Sequence, residues 1–198
     1  MTEKTIRLYF KELDRRLQAD ATVILVGAGA GSLMGHIRPS LDIDFEIRLD
    51  RRSAAARRRL DRVVREAAAA IGVAVNYSED IGHWSMVSYL DYRKTALSYR
   101  RIGKITVKLI APEYWTIGKM TRFLELDIRD MVKIIQKKQL RPTRLVGVWS
   151  RAMKDSDLSL ELGQFKEHVL YFFKKYGKRI WGKKFNADRY SRSFAAQH

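Results

Sequence analysis

From Leu41 to Leu49 the chain alternates without interruption. Leu41, Ile43, Phe45, Ile47 and Leu49 fall on one side, and Asp42, Asp44, Glu46 and Arg48 on the other. Alternation with period 2 predicts a strand with one face in a core and one among polar surroundings. Upstream, Thr22-Val-Ile-Leu-Val26 is a continuous apolar, β-branched run that stops at Gly27, which predicts a buried strand. Between the two lies Gly27-Ala-Gly-Ala-Gly-Ser32, which reads as a turn. Ser32 to His36 leaves room for only about a turn and a half of helix before Arg38-Pro39 breaks it. Asp42 and Asp44 then stand roughly 7 Å apart along one face of a strand that follows a glycine-rich segment.

Around this centre the periodicity changes twice. Ile6, Phe10, Leu13 and Leu17 predict an amphipathic helix over residues 3–19, and Leu60, Val63, Val64, Ala67 and Ile71 another over 53–71. Short strands are expected at 73–77, 96–101 and 104–110, while 79–95 matches no template. After Ala111-Pro112 the pattern is helical, over 113–122, 126–138, 143–153 and 160–176. The last stretch, 187–198, is the one candidate for disorder. The expected fold is therefore α/β (α+β): a mixed β-sheet flanked by helices, residues 1–112, with a helical C-terminal lobe, residues 113–198.

The chain has 198 residues, 46% of them hydrophobic, enough for an ordinary core. Absence of cysteine excludes disulfides, zinc–thiolate sites and thiol catalysis. No apolar run reaches the roughly 18 residues of a membrane helix, and the N-terminus reads as amphipathic rather than as a signal peptide. The expected address is cytoplasmic, with no membrane partner. Net charge is +17, unevenly spread: −1 over residues 1–50, +8 over 51–110 and +10 over 111–198. A basic exterior around a carboxylate-bearing strand suits a polyanion, such as a nucleotide or RNA, although the excess can equally serve solubility.

Two carboxylates on one strand face can converge on Mg²⁺, which binds oxygen donors shared with substrate phosphates. Glycines let backbone approach a phosphate, and Ser32 adds a hydroxyl. Two other readings remain open. Asp42, Asp44 and Glu46 can be the solvated face of an edge strand. A dinucleotide fold fits superficially, but Ser32 occupies the third glycine position and the helix is short for a parallel crossover.

Val26-Gly-Ala-Gly-Ala-Gly-Ser32 followed by Ser40-Leu-Asp-Ile-Asp-Phe45 resembles the signature of the nucleotidyltransferase (polymerase-beta-like) superfamily. The spacing of Arg38, Ser40, Asp42 and Asp44 is similar to small stand-alone members encoded in toxin–antitoxin or phage-defence operons. Asp127-Ile-Arg-Asp130 resembles the helix after the catalytic domain in that group. The resemblance implies a nucleotidyltransferase-like sheet, with Asp42 and Asp44 as catalytic residues holding Mg²⁺ and an NTP. It places Gly27, Gly29, Gly31, Ser32, Arg38 and Ser40 at the nucleotide. The implied reaction moves a nucleoside monophosphate onto a hydroxyl or phosphate of RNA or protein, releasing pyrophosphate. Active members usually carry a third carboxylate on a later strand. Here Lys104-Ile-Thr-Val-Lys-Leu-Ile110 has no acid, and Lys108 stands about where that residue is expected. Glu46 or Asp91 are the alternative donors. The other outcome is a catalytically degenerate binding protein, antitoxin-like or partnered with nucleic acid.

Two basic stretches are candidate nucleic-acid contacts. Arg57, Arg58 and Arg62 lie on the 53–71 helix, and can equally be a solvated face. Lys174, Lys175, Lys178 and Arg179 interleave with aromatics between Tyr171 and Phe185, a pattern that suits single strands but also fits core packing. Trp84, Trp115, Trp149 and Trp181 read as core anchors. The four histidines show no metal-ligand spacing, although His36 is closest to the candidate site. Glu125 and Asp127, near Arg129, read as cap and ion-pair residues.

Overall fold

The computed structural model describes residues 1–35, 41–49 and 54–196. Arg38, Ser40, His36 and Asp50 lie outside the described residues, as do Arg51 and Arg52. The chain forms two compact units, Met1–Ile81 with Arg93–Ile110, and Gly82–Tyr92 with Ala111–His198.

The first unit runs α1 (Glu3–Leu17), β1 (Ala21–Leu25), α2 (Gly27–Gly35), β2 (Asp42–Leu49), α3 (Ala54–Ile71), β3 (Ala74–Ser78), β4 (Leu97–Ile102) and β5 (Ile105–Leu109). Its mixed sheet has the order β3-β2-β1-β5-β4. β1 pairs antiparallel with β2 and parallel with β5, β2 parallel with β3, and β4 antiparallel with β5. The antiparallel β1–β2 pair removes the dinucleotide alternative, because that motif needs a crossover to a parallel neighbour.

One face of the sheet is apolar. Val23, Leu25, Ile43, Phe45, Ile47, Ile105 and Val107 are buried there, as the alternation in β2 requires. Tyr9 and Phe10 of α1 bring their rings to within 5.8 and 5.5 Å of Phe45, and Tyr77 stacks on it at 5.9 Å. Leu60, Val63, Val64 and Ala67 supply the stripe of α3. Arg16 of α1 bridges to Glu66 of α3 at 3.0 Å. The other face carries Thr22, Ile24, Asp42, Asp44, Glu46, Arg48, Asn76 and Lys108, joined by cross-strand register.

The glycine segment is a helix rather than a turn. Ala30 N–H donates to Val26 O at 3.1 Å, so helical bonding starts from the end of β1. Glycine is a poor helix former, but Gly29, Ala30 and Gly31 are buried, and small side chains let α2 pack closely.

The second unit is helical: α5 (Pro112–Arg122), α6 (Glu125–Lys137), α7 (Pro142–Lys154), α8 (Leu160–Trp181) and α9 (Ala187–Ala195). A short helix α4 (Tyr92–Thr95) precedes β4, and a 3₁₀ turn spans Ile81–Trp84. Gly177 does not end α8. A Cβ there would stand 2.1 Å from Phe185 Cε1, so this glycine makes room for a packed ring, and the helix stops at Gly182 with φ +93°. The segment expected to be disordered forms α9. Asn186 caps it by accepting from Arg189 N–H at 2.9 Å, Tyr190 stacks on Phe185 at 4.9 Å, and Phe194 is buried. Trp149 is fully buried and donates to Thr116 Oγ1, and Trp181 donates to Leu140 O. Trp84 departs from the core-anchor expectation, since it is an exposed residue of the 3₁₀ turn. Among the described residues no helix is long and apolar enough to cross a membrane.

Candidate functional site on the polar sheet face

β2 turns Asp42 and Asp44 to the same face, and β3 supplies what joins them. Asp44 is in register with Asn76. The Asn76 Nδ2 donates to Asp42 Oδ2 at 3.0 Å and to Asp44 Oδ1 at 2.9 Å. One amide nitrogen therefore serves both carboxylates, and an oxygen of each converges on a single point. Both aspartates are half-buried and Asn76 is exposed.

Asp44 also lies against the start of α2. Gly27 has φ +58°, and a Cβ on it would stand 1.9 Å from Asp44 Oδ2. Glycine is required there on two counts, the left-handed backbone and the space that the carboxylate fills. Val26 N–H donates to Asp44 O at 2.9 Å, which fixes the backbone of β2 beside this junction.

The remaining glycines are placed differently. Gly29 and Gly31 are buried inside α2, and a Cβ on Gly29 would meet Asp42 O and Ile6 Cδ1 at an ordinary 3.9 Å. Ser32 is in the second turn of α2, half-buried. Gly27 is thus set against a carboxylate, and Gly29 is not.

Glu46 has a separate partner. It is fully buried, and Arg93 clamps it, with Nε to Oε1 at 2.7 Å and Nη2 to Oε2 at 3.0 Å. Ile81 N–H donates to the same Oε2 at 3.2 Å. Arg93 also reaches Asp80 Oδ2 at 2.9 Å and Glu79 O at 3.3 Å. A carboxylate removed from water needs such a bidentate cation, and this arrangement occupies both oxygens of Glu46.

Lys108 lies on the same face. Ile24 is in register with Glu46 on one side and Lys108 on the other, so the three form one row across β2, β1 and β5. That row is one same-face step, roughly 7 Å, from Asp44. Asp91 belongs to the segment Gly82–Tyr92 of the helical unit. Among the described residues no group of three or more His, Asp or Glu side chains gathers.

Of the basic candidates, Arg57 forms a bidentate pair with Glu79, with Nε to Oε1 at 2.8 Å, and Arg62 pairs with Glu66 at 3.2 Å. Arg58 is exposed. In α8 the aromatics turn inward and the cations outward. Phe172, Phe173 and Phe185 are buried, while Lys174, Lys175, Lys178 and Arg179 are exposed along one side. The stacking surfaces that the interleaved pattern offered are mostly used by the core. Asp127 pairs with Lys119 and Arg122, and Arg129 pairs instead with Glu125.

Asn76 and Arg93 were missed at the level of sequence. Asn76 leaves one trace, a polar residue in the middle of Val73-Ala-Val-Asn-Tyr77. Arg93 leaves none, because it lies in the stretch that matches no template. No family model, curated protein or solved structure matches this chain.

Proposed function

We propose that the chain is a nucleotidyltransferase that moves a nucleoside monophosphate from Mg-NTP to an acceptor. The observation that carries this reading is the convergence of Asp42 and Asp44 on one atom, beside the Gly27 junction, on the polar face of the sheet.

The donor set fits Mg²⁺. Two aspartate oxygens lie within 3.0 Å of the same nitrogen, and a hard cation held by one or two carboxylates plus substrate phosphates is how Mg²⁺ usually binds. Asp42 and Asp44 would hold it. When bound, the ion neutralises charge on the triphosphate and polarises its phosphoryl oxygens. The chain itself supplies position. Asn76 fixes both carboxylates through hydrogen bonds to their ionised forms. Gly27 leaves room for Asp44, and the first N–H groups of α2 favour an anion at that end. The surrounding positive charge draws a polyanionic substrate, RNA in particular, to the site. An operon-encoded protein partner, as in toxin–antitoxin systems, fits the same reading, and so does a cytoplasmic address.

One observation favours the second reading, a catalytically degenerate nucleotidyltransferase-fold binding protein. β5 places Lys108, rather than an acid, on the polar face. Transfer of label from α-labelled NTPs, with RNA and protein acceptors, separates the two. The enzyme reading expects incorporation that Asp42→Ala and Asp44→Ala each reduce by at least about 10³-fold. No incorporation with any NTP or acceptor supports the binder.

A further inference from the structure

The polar face holds a second feature beyond the aspartate pair. A cavity of about 460 Å³ opens over β1, β2 and β5, lined among others by Thr22, Glu46, Arg48, Arg93 and Lys108. Three of these residues are cations and one is an acid. The acid is already matched, because Arg93 clamps Glu46 with two hydrogen bonds. The cavity is left with the charge of Lys108 and Arg48, which form no ion pair among the described residues. Register sets them on neighbouring rows. Ile24 pairs with Glu46 and Lys108, and Thr22 pairs with Arg48. Two cations and a wall braced by a buried ion pair describe a receptor for a compact anion.

We propose that this cavity is a phosphate subsite, and that the phosphate it receives belongs to the acceptor. The first half stands on the cavity alone. The second rests on the transferase reading above.

The chemistry explains why a lysine suits this strand. A hydroxyl acceptor must lose a proton as it attacks, so a site for it needs a base. A phosphate monoester has a second pKa of about 6 and is already dianionic at neutral pH. It brings its own nucleophilic oxygen and needs cations to hold it beside a polyanionic NTP. In the step, an acceptor phosphate oxygen forms a bond to the α-phosphorus. The bond from that phosphorus to the α–β bridging oxygen breaks, and pyrophosphate leaves with the electron pair. The product is a phosphoanhydride, and no proton is removed from the acceptor. Glu46 in the cavity wall lies one same-face step, roughly 7 Å, from Asp44 along β2, and Lys108 lies in the same row two strands over, roughly 10 Å to the side, so the cavity and the aspartate pair share one face.

Calorimetric titration with ribose 5-phosphate, and with ribose as the control, tests the subsite without NTP or metal. Ribose 5-phosphate is expected to bind and ribose is not. Lys108→Ala and Arg48→Ala should each weaken binding at least about tenfold. Lys108→Arg should retain most of it. Arg100→Ala removes an exposed cation elsewhere in the same unit and should change the affinity less than about twofold. Absence of binding, or binding equally indifferent to Lys108 and Arg48, overturns the subsite. Pyrophosphate release in the presence of Mg-NTP tests the acceptor role. Release with ribose 5-phosphate and not with ribose supports it, and the reverse preference overturns it while leaving a transferase. Phosphate binding that depends on Lys108, with no transfer to any acceptor, keeps the subsite and removes the transferase reading.

Discussion

The chain holds two aspartate pairs, and it holds them in opposite ways. Asp127 and Asp130 lie on α6, three residues apart and so on one side of the helix. Both are buried, 2% and 3% exposed, and so is Lys119, whose Nζ reaches Asp127 Oδ1 at 2.7 Å and Asp130 Oδ2 at 3.0 Å. Arg122 adds two more bonds to Asp127. Asp42 and Asp44 lie on β2, two residues apart and so on one face of a strand, and the partner they share is the neutral amide of Asn76. The helical pair spends its negative charge on fixed cations and braces α5 against α6. The strand pair keeps its carboxylates half-buried on a polar face, joined through an exposed side chain of the neighbouring strand. What each pair meets in the fold differs, and sequence spacing does not show that.

The largest way to break the contrast is to remove the cation from the helical pair. Lys119→Met leaves two buried carboxylates short of their ammonium and should cost about 3–5 kcal/mol. All four tryptophans lie in the helical unit, so urea unfolding followed by their fluorescence reads this effect. The same pair predicts an acid limb. Burial pushes Asp127 up, but hydrogen bonds from Arg122 and Lys119 outweigh it and hold the carboxyl below its ordinary 3.8. A folded-state pKa below the unfolded value contributes stability above the latter, lost as pH falls through the former. The helical unit should therefore weaken as pH drops below 3.8, and Lys119→Met should flatten that limb.

A smaller effect sharpens the strand side of the comparison. Gly27→Ala forces a side chain into the left-handed region and into the Asp44 carboxylate, at an expected cost of about 1–3 kcal/mol. Gly29→Ala meets only ordinary contacts and should be neutral or stabilising by up to about 1 kcal/mol, through better helix propensity. Thermal melts of the two variants, followed by circular dichroism, compare them directly. A comparably small effect is expected of Asn76→Ala. It removes the amide shared by two half-buried carboxylates and should cost about 1 kcal/mol, measured by the same melts. A loss as large as that of Lys119→Met would make the strand pair architectural too, and end the contrast.

Much of the fold could be read in advance wherever one periodicity ran uninterrupted. β2 was plain because its alternation sorts Ile43, Phe45 and Ile47 from Asp42, Asp44 and Glu46, and α1 and α3 because their apolar stripes are complete. Reading failed where a residue's local habit was overruled by packing. Gly27 to Ser32 has the composition of a turn, yet burial against β2 and α1 makes it a helix. The helix expected over 160–176 runs on through Gly177, where Phe185 fills the space of the missing side chain. The terminal segment was the candidate for disorder, but Tyr190 stacks on Phe185 and Phe194 is buried. Of the candidate site, Asp42, Asp44 and Gly27 were found by pattern and spacing. Asn76 and Arg93 were not, because each meets its partner more than thirty residues away in sequence.

Sequence alone decided which side chains share a face, since strand geometry sends every second residue the same way whatever surrounds it. It set the two acids of β2 side by side, put the lysine of β5 on alternate positions to its apolar neighbours, and made the chain strongly basic. Only the tertiary structure decided who stands opposite whom. Strand order and register brought Asn76 to the aspartates, Arg93 to Glu46, and Lys108 into one row with Glu46. Those meetings depend on sheet pairing between distant segments, whose free energy is summed over the whole core and is written at no single position.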